Sequence, residues 1–512
     1  MKDKMVPQSF EQLLTQLMQS YQGNQTFFGV KVSRSLGDPI HPIGPAAGPH
    51  TQLAGNIVAA FGAGADYFEL KTVQVIEGQD LAIAKPCIYT AHEVYNSEWS
   101  TELRVVEAEA EYIKGYMLNY ILAIEFELAD PDQLKYVMSV GYDLTGIQSP
   151  RVDHFIETMK EAGNHPVWQS CMNYLETHIN KFERVTLKDL TNMPSTISAT
   201  VTLSTMHGCA KEEIEAIVQY LILEKATDTY VKMNPTLLGK EAVSKCLDDL
   251  GYSEMEINDE VFAEDLTFEE SRRMLERLIA FGLDAGRKFG VKLTNTLPVK
   301  NQGKPLKGET IYLSGPALYP LTIQVVALMA EAFNGQLPIS YSGGADAKNV
   351  LEIARTGVYP ITVSSVLLKP GGYKNLSRMA EALDQGTFVM SQGSLDVQGL
   401  RKLSEKSLLE TRYTQKESRK FPRLEIYNDL CAACNNCIDT CPNRANEALI
   451  LDGEKVIVHY DDLCNACGNC SGFCIKGHDP YLEKWTINNR ESIDMVALRQ
   501  HSRILKGQMK AD

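Results

Sequence analysis

The stretch LPISYSGGAD, residues 337–346, runs from an apolar, β-branched segment directly into a pair of glycines. The following residues, AKNVLEIARTG (347–357), have the apolar spacing of a helix. A second strand pattern, YPITVSS (359–365), comes next. Strand, glycine turn, helix and strand in this order are typical of a βα unit in a parallel sheet.

Six further strand patterns lie upstream and alternate with helical patterns such as KEEIEAIVQYLILE (211–224). They are DPIHPIG (38–44), YFELKT (67–72), YVMSVG (136–141), ISATVTL (197–203), TYVKMN (229–234) and GVKLTN (290–295). The total of eight is the strand number of a (β/α)₈ TIM barrel. We therefore predict a barrel over residues 1–380 with insertions at 73–135 and 142–196. A doubly wound open sheet is the alternative architecture.

Polar residues and glycines follow the predicted strands, where TIM barrels place their chemistry. These segments are GPAAG (44–48), Lys71-Thr72, STMHGC (204–209), Lys232 with Asn234, TNT (294–296), SGGAD (342–346) and Ser364-Ser365. Paired glycines before a helix expose backbone N–H groups that suit a phosphate. The chain contains no G-x-G-x-x-G dinucleotide motif. We therefore expect the phosphate of FMN.

Two cysteine runs stand near the end of the chain, CAACNNCIDTC (431–441) and CNACGNCSGFC (464–474). Their spacing is that of bacterial ferredoxins, in which the fourth cysteine of each run ligates the other cluster. We predict one [4Fe-4S] cluster on Cys431, Cys434, Cys437 and Cys474, and a second on Cys464, Cys467, Cys470 and Cys441. A structural zinc ribbon is the alternative. Ile475 replaces the proline that usually follows the last cysteine.

Between the runs, EALILDGEKVIVHYDD (447–462) predicts a hairpin that turns at Asp452-Gly453. We assign 425–480 to a small ferredoxin-like α+β domain with the two clusters. A helical linker (381–424) precedes it, and a tail (481–512) follows it.

The composition limits the function classes. A formal net charge of −15 argues against nucleic-acid binding, which needs basic surface. We find no apolar run long enough to span a bilayer, and the first residues lack the apolar stretch of a secretory signal. We therefore expect a cytoplasmic protein.

Several segments resemble a known group of flavoproteins. They are PIGPAAGPHTQLAGNIV, FELKTVQ, MSVGYDLTGI, VTLSTMHGC, VKMNPTLLG, GVKLTNTL, LPISYSGGA and LLKPGGY, and they extend over most of residues 40–373. The barrel is similar to the FMN domain of dihydropyrimidine and dihydroorotate dehydrogenases. The chain also resembles a bacterial family of flavin/iron–sulfur proteins that carries a selenate reductase subunit label. No residue that we identify supports selenate as the substrate.

The resemblance implies roles for individual residues. Ala46, Ala47 and Gly48 would pack against the flavin, Lys71 and Lys232 would contact its ring and ribityl chain, and Asn295-Thr296 would bind a planar heterocycle. The phosphate positions would be Gly315, Gly343, Gly344, Ser364 and Ser365, and Thr72, Thr294 and Ser342 complete the expected cofactor set.

The loop that carries the family's proton donor departs from the family pattern. The family reads N-L-S-C-P or N-x-S-S-P, whereas this chain reads Thr202-Leu203-Ser204-Thr205-Met206-His207-Gly208-Cys209. We favour Cys209 as the acid, because a thiol has a pKa much nearer neutrality than a hydroxyl. Thr205, His207 and Ser204 are the alternatives, and Cys209 could instead be a small buried apolar residue. Thr202 replaces the family asparagine, and Asp143 is expected to supply a compensating ring contact.

These inferences predict a flavin-dependent oxidoreductase that acts on a ring CH–CH bond of a purine- or pyrimidine-like heterocycle. The clusters would exchange electrons with a separate partner, namely a ferredoxin, a flavodoxin-like protein or an NAD(P)H-oxidising flavoprotein subunit, in an oligomer or a heteromeric complex. One alternative is an electron-transfer subunit without an organic substrate. The other is a binding protein whose clusters only stabilise the fold.

Overall fold

The computed structural model describes residues 5–32, 34–71, 87–90, 92–97, 103–205, 209–304, 306–390, 393–416, 431–451, 453–464 and 466–487. Several predictions therefore fall outside the described residues. They concern Thr72, His207, Asp452, the first part of the 73–135 insertion, the end of the linker and the tail beyond residue 487.

Eight parallel strands form a nearly closed barrel. They are β1 (Ile43–Pro45), β2 (Tyr67–Lys71), β3 (Lys135–Gly141), β4 (Thr200–Ser204), β5 (Asp228–Met233), β6 (Phe289–Leu293), β7 (Ile339–Tyr341) and β8 (Ile361–Val363). From β2 to β8 each strand pairs with the next in sequence, and β8 also pairs with β1. The Asp66 N–H donates to the Ile43 carbonyl at 3.2 Å between β1 and β2. The barrel prediction is confirmed, and the doubly wound alternative is wrong.

The composition of the segments accounts for the strands, and prolines account for the late start of β1. All five residues of β6 are buried, as expected for a strand covered on both faces. The predicted first strand began at residue 38, but β1 begins at Ile43. Pro39 and Pro42 lack the N–H that a sheet requires, and the His41 N–H instead donates to the Asp66 carboxylate at 2.8 Å.

Helices surround the barrel. They are Phe10–Asn24, Ala54–Gly62, Val105–Glu125, Leu144–Ile147, Pro150–Lys160, Pro166–Thr177, Leu187–Asn192, Ile214–Leu223, Lys240–Asp249, Glu260–Glu264, Phe268–Asp284, Leu318–Ala332, Val350–Arg355, Lys374–Asp384 and Val397–Ser407. Short 3₁₀ turns lie at Pro49–Thr51, Pro131–Gln133, Ile179–Lys181, Pro235–Leu238 and Ser365–Leu368. Helix Val397–Ser407, which falls in the predicted linker, packs along Leu318–Ala332. No described helix is both long and apolar enough to cross a bilayer.

A second, antiparallel sheet lies at the carboxyl end of the barrel strands. Its order is Leu297–Lys300, Thr310–Ser314, Val94–Asn96 and Ile88–Thr90. The sequence analysis did not predict this sheet, whose strands have only three to five residues. A two-stranded hairpin of Thr26–Phe27 and Val30–Lys31 follows the first helix.

The cysteine-rich region is built around the predicted hairpin. Asn446–Leu451 pairs antiparallel with Glu454–Tyr460, and Trp485–Ile487 joins as a third, parallel strand. The short helices Asn436–Asp439, Asn469–Gly472 and Pro480–Glu483 complete the region.

The cysteine-rich region packs directly on the barrel. Arg444 lies over the rings of Tyr373 and Phe28, at 4.6 and 5.5 Å from their centroids. The Asn56 amide donates to the Pro442 carbonyl at 2.6 Å. Gly372 has φ +50°, and a Cβ there would lie 2.0 Å from the Asp439 carbonyl oxygen. The backbones therefore meet so closely that only glycine fits at residue 372.

Candidate functional site

A cavity of about 180 Å³ opens at the carboxyl ends of the barrel strands. Most of the predicted cofactor and substrate residues line it, namely Ala46, Ala47, Lys71, Ser204, Lys232, Thr294, Asn295, Thr296, Gly315, Ser342, Gly343, Gly344, Ser364 and Ser365. The lining residues that the sequence analysis missed are Asn96, Ser139, Val140, Gly141, Ser314, Leu318, Ala345, Thr362 and Val363. Asn96 and Ser314 come from the antiparallel sheet, so that sheet forms part of the wall.

A buried ion pair supports the cavity from within the barrel. Lys292 on β6 pairs with Glu69 on β2 and also donates to the Thr362 hydroxyl on β8. The other oxygen of Glu69 accepts from the Ala47 N–H at 3.0 Å. Glu69 therefore joins strands on opposite sides of the barrel to the loop after β1. In the sequence, this ion pair is indicated by one charged residue in the centre of each of two apolar strand patterns, YFELKT and GVKLTN.

The cavity floor is electropositive. Burial opposes ionisation of Glu69, but the charges of Lys292 and Lys232, with hydrogen bonds from Lys292 and Ala47, hold the pKa of its carboxyl below the ordinary value. Burial and the neighbouring charges of Lys292 and Lys71 lower the pKa of Lys232 to about 8, against the opposing effect of Glu69. Lys292 and Lys232 thus lie near one carboxylate and Lys71 lies near Lys232, an arrangement that attracts an anion.

Glycines shape the end of the cavity formed by β7 and β8. Gly344 has φ +66°, and a Cβ there would lie 2.7 Å from the Gly315 carbonyl oxygen. A Cβ at Gly343 would lie 2.1 Å from the Thr322 hydroxyl. Within the described chain, the N–H groups of Gly343, Gly344 and Ser364 donate to no protein acceptor. Unused N–H groups at a glycine turn form a site for phosphate oxygens.

Hydrogen bonds organise the polar wall at β4, β5 and β6. The Lys232 carbonyl accepts from the Thr205 hydroxyl at 2.8 Å and from the Asn295 amide at 3.3 Å. The same Asn295 nitrogen donates to the Asn234 side-chain oxygen at 2.7 Å. Thr205 and Asn295 are therefore held beside Lys232.

The candidate acids divide between two cavities. Ser204 lines the main cavity, whereas Thr205 and Cys209 line a smaller neighbouring one with Asn234 and Asp265. Burial and the nearby charges of Glu213 and Asp143 raise the pKa of Cys209 to about 12. Cys209 is therefore a protonated thiol at neutral pH, and its role as the acid stays a prediction.

Three other predicted site residues lie away from the main cavity lining. Asp143 caps helix Leu144–Ile147 by accepting from the Gly146 N–H at 2.7 Å. The Gly48 N–H donates to the Thr51 hydroxyl at 3.1 Å. Thr202 is buried in β4, two residues before Ser204. None of these three residues lines the main cavity, and their binding roles stay predictions.

The two cysteine runs follow the same backbone course. Ala433 and Asn435 in the first run have positive φ, as do the equivalent Ala466 and Gly468 in the second. Each third cysteine then lies in a short helix, Asn436–Asp439 or Asn469–Gly472. The runs are thus two copies of one loop.

The thiols of the two runs lie close to one another. Burial raises the pKa of Cys464, Cys467 and Cys470, and the adjacent Cys441 raises it further in each case. Burial and the nearby Cys431, Cys434 and Cys441 likewise raise the pKa of Cys437. The Asn436 amide donates to the Phe473 carbonyl at 3.1 Å, which holds the end of the second run beside the first. In the described chain, no three His, Cys, Asp or Glu side chains converge tightly enough for a single metal ion.

The two predicted ligand sets differ in exposure. Cys441, Cys464, Cys467 and Cys470 are all buried, while in the other set Cys437 is buried, Cys431 and Cys434 are exposed and Cys474 is partly exposed. Cys467 packs with Val94, Ile88 and Leu368. The Ser314 hydroxyl in the cavity wall donates to the Val94 carbonyl at 3.2 Å. Cys467, a member of the buried set, therefore lies one strand away from the cavity.

Eight parallel strands with a polar cavity at their carboxyl ends define the chain as a TIM-barrel protein. Residues 35–416 match the family model described as "Oxidoreductase YgfK, N-terminal TIM-barrel domain". The chain belongs to this oxidoreductase family.

Two curated relatives are the YgfK proteins of Escherichia coli K12 and O157:H7. Each is 40% identical over 454 residues, which cover 84% of this chain and 44% of the relative. The chain thus spans less than half the length of these relatives. Solved structures similar to it include DHODH from Eimeria tenella in complex with ferulenol (15% identity, TM-score 0.44, 77% and 96% of the two chains) and in a ligand-free form (17%, 0.36, 76% and 98%).

Proposed function

We propose that the chain is an FMN-dependent oxidoreductase that acts on a ring double bond of a planar, purine- or pyrimidine-like heterocycle. Two [4Fe-4S] clusters would exchange electrons with a separate partner. The observation that carries the proposal is the cavity, in which an electropositive floor and a glycine-lined end meet in one barrel mouth.

The residues present fit FMN. The N–H groups of Gly343, Gly344 and Ser364 would hold the phosphate, because they donate to no acceptor in the described chain. At Gly343 and Gly344 a side chain would also clash with its neighbours. Lys71 and Lys232 would lie by the ring and ribityl chain, where positive charge favours the anionic reduced ring. Bound FMN would supply hydride transfer to or from a ring carbon.

The cysteine runs fit two four-iron clusters. Each predicted ligand set has its members on two loops of equal conformation, and thiolates are the ligands that such clusters use. The Cys441 and Cys464 sulfurs already accept backbone hydrogen bonds, from Ala445 at 3.2 Å and Ala466 at 3.3 Å. Hydrogen bonds to the sulfurs are one of the features that set cluster potentials.

The difference in exposure between the two predicted ligand sets indicates the path that electrons would take. The buried set lies beside the cavity wall through Val94, and the other set includes the exposed Cys431 and Cys434. Electrons would enter or leave through the exposed set, where a ferredoxin, a flavodoxin-like protein or an NAD(P)H-oxidising flavoprotein subunit can approach.

The polar wall supports a substrate in addition to the flavin. Asn295, Thr296 and Ser204 line the same cavity as the floor lysines, and amide and hydroxyl groups suit the carbonyl and N–H edges of a heterocycle. Thr205 and Cys209 line the neighbouring cavity, from which one of them would supply or accept the proton. An electron-transfer subunit without a substrate is the second candidate, favoured only by the exposed cysteines.

Anaerobic flavin spectroscopy tests the proposal. FMN-loaded protein, first reduced with dithionite, is mixed with a panel of oxidised pyrimidines and purines, and the return of the oxidised flavin spectrum is followed. Re-oxidation by a member of the panel is expected, and Cys470→Ser should slow re-reduction by ferredoxin without changing that half-reaction. Cys246→Ser, a buried cysteine outside both runs, is the control. FMN-loaded protein that reacts with ferredoxin but with no heterocycle would instead identify the electron-transfer subunit.

A further inference from the structure

The Asn295 side chain faces the main cavity with its hydrogen-bond donors already used. Its amide nitrogen has two hydrogens, which go to the Lys232 carbonyl at 3.3 Å and to the Asn234 side-chain oxygen at 2.7 Å. An asparagine amide has no other donor. The part of Asn295 that remains for a ligand is its oxygen, which can only accept.

This orientation is determined by Asp265, outside the main cavity. The Asn234 nitrogen donates to one Asp265 oxygen at 2.9 Å, and the Thr236 hydroxyl donates to the other at 2.6 Å. Burial raises the pKa of the Asp265 carboxyl, while the hydrogen bonds from Thr236 and Asn234 oppose that rise by favouring the ionised form. In its ionised form the carboxylate accepts and never donates. Asn234 must therefore turn its nitrogen toward Asp265 and its oxygen toward Asn295, and Asn295 must in turn point its nitrogen at Asn234.

A second contact stabilises the same orientation. The Lys232 carbonyl takes one hydrogen bond from Thr205 at 2.8 Å and one from Asn295. If the Asn295 amide reversed, its oxygen would face both this carbonyl and the Asn234 oxygen. Each such contact would bring two acceptors together without a hydrogen atom between them, which is unfavourable in a buried site.

We infer that Asp265 is a positioning residue for substrate specificity, which acts through Asn234 and fixes Asn295 as an obligate acceptor. The substrate edge that meets Asn295 must then carry an N–H donor. Resting on the function proposed above, this narrows the substrate class to heterocycles with an unsubstituted ring N–H or an exocyclic amino group. Analogues that are methylated at every ring nitrogen, and that lack an amino group, would be excluded.

Paired probes test the inference on the full-length, FMN-loaded protein. The probes are uracil with 1,3-dimethyluracil and xanthine with 1,3,7-trimethylxanthine, which share their ring carbonyls and differ in N–H groups. Binding is measured from the perturbation of the flavin absorption spectrum, without turnover. The wild-type protein should bind the N–H member at least about tenfold more tightly.

The variant Asp265→Ala should reduce that ratio by about tenfold, because Asn234 and Asn295 become free to rotate. Asp265→Asn preserves the side-chain shape and should give an intermediate ratio. Glu264→Ala is the matched control, since it removes the adjacent, exposed carboxylate and should leave the ratio unchanged. Comparing ratios between variants removes the steric effect of the methyl groups.

The outcomes separate this inference from the proposed function. Protein that does not retain FMN overturns the proposed function. Protein that retains FMN and binds the probes, but whose ratio is the same in the wild-type protein and both Asp265 variants, overturns the inference alone. FMN-loaded protein that binds none of the four probes overturns the heterocycle class and the inference together.

Discussion

Replacing Lys292 with methionine would leave Glu69 buried without its main partner. Both side chains are almost fully buried, and Lys292 also donates to the Thr362 hydroxyl. Removal of one member of a buried ion pair costs about 3–5 kcal/mol. Two contacts of Glu69 survive, the Ala47 N–H at 3.0 Å and the nearby charge of Lys232. We therefore expect a loss at the lower end of this range.

The loss can be expressed as a melting temperature. With residues 35–416 as the barrel and an unfolding entropy of about 2.1 cal/mol/K per residue, 3–5 kcal/mol lowers the midpoint by about 4–6 °C. The double variant Lys292→Met/Glu69→Gln removes both charges and retains an acceptor for the Ala47 N–H. It should recover most of the loss, because a buried pair replaced as a unit is often nearly neutral.

Thermal unfolding followed by circular dichroism at pH 7 provides the comparison, with Lys300→Met as the control. Lys300 and Glu256 form an exposed pair at 3.0 Å, whose loss should move the midpoint by less than about 1 °C. A single variant that melts like the wild-type protein, or a double variant that melts below the single one, would refute the proposed role of the pair.

Four further predictions follow from particular residues. FMN affinity, measured by flavin fluorescence quenching, should fall as the pH rises through about 8, where Lys232 loses its proton, and Lys232→Arg should abolish this pH dependence. Gly344 has φ +66°, and an added Cβ would lie close to the Gly315 carbonyl. Gly344→Ala should therefore lower the free energy of unfolding by about 1–3 kcal/mol and weaken FMN binding. Gly303→Ala, at φ +74° in open space, should leave FMN binding intact. Burial raises the pKa of Glu109 to about 7, so its contribution to stability is fully present below its unfolded pKa and is lost as the pH rises through 7. Glu109→Gln should therefore reduce the pH dependence of the urea-unfolding midpoint between pH 5 and 8. Arg444→Met removes the contact with Tyr373 and Phe28 and should speed protease cleavage between barrel and cysteine region, unlike Arg401→Met at an exposed helix position.

The barrel could be predicted because each strand carries its own signal. Apolar β-branched runs such as GVKLTN, each followed by polar residues or glycine, gave all eight strands and most of the cavity lining. Where a predicted strand end was wrong, the cause was local: β1 begins only at Ile43 because Pro39 and Pro42 lack the N–H groups that a sheet requires.

Features that depend on contacts between distant segments were missed. The antiparallel sheet joins Val94–Asn96 to Thr310–Ser314, and no local pattern marks strands this short. The Glu69–Lys292 pair is visible only when β2 and β6 meet inside the barrel. Likewise, Asp265 lies 30 residues before Asn295 in the sequence, and only the fold connects them through Asn234.

The cofactor content of anaerobically purified protein tests the central claim most directly. Flavin, iron and acid-labile sulfide would be quantified per chain, and the flavin would be identified by chromatography. The account predicts one FMN with about eight iron and about eight sulfide. A full complement of iron without flavin, even after incubation with FMN, would contradict it.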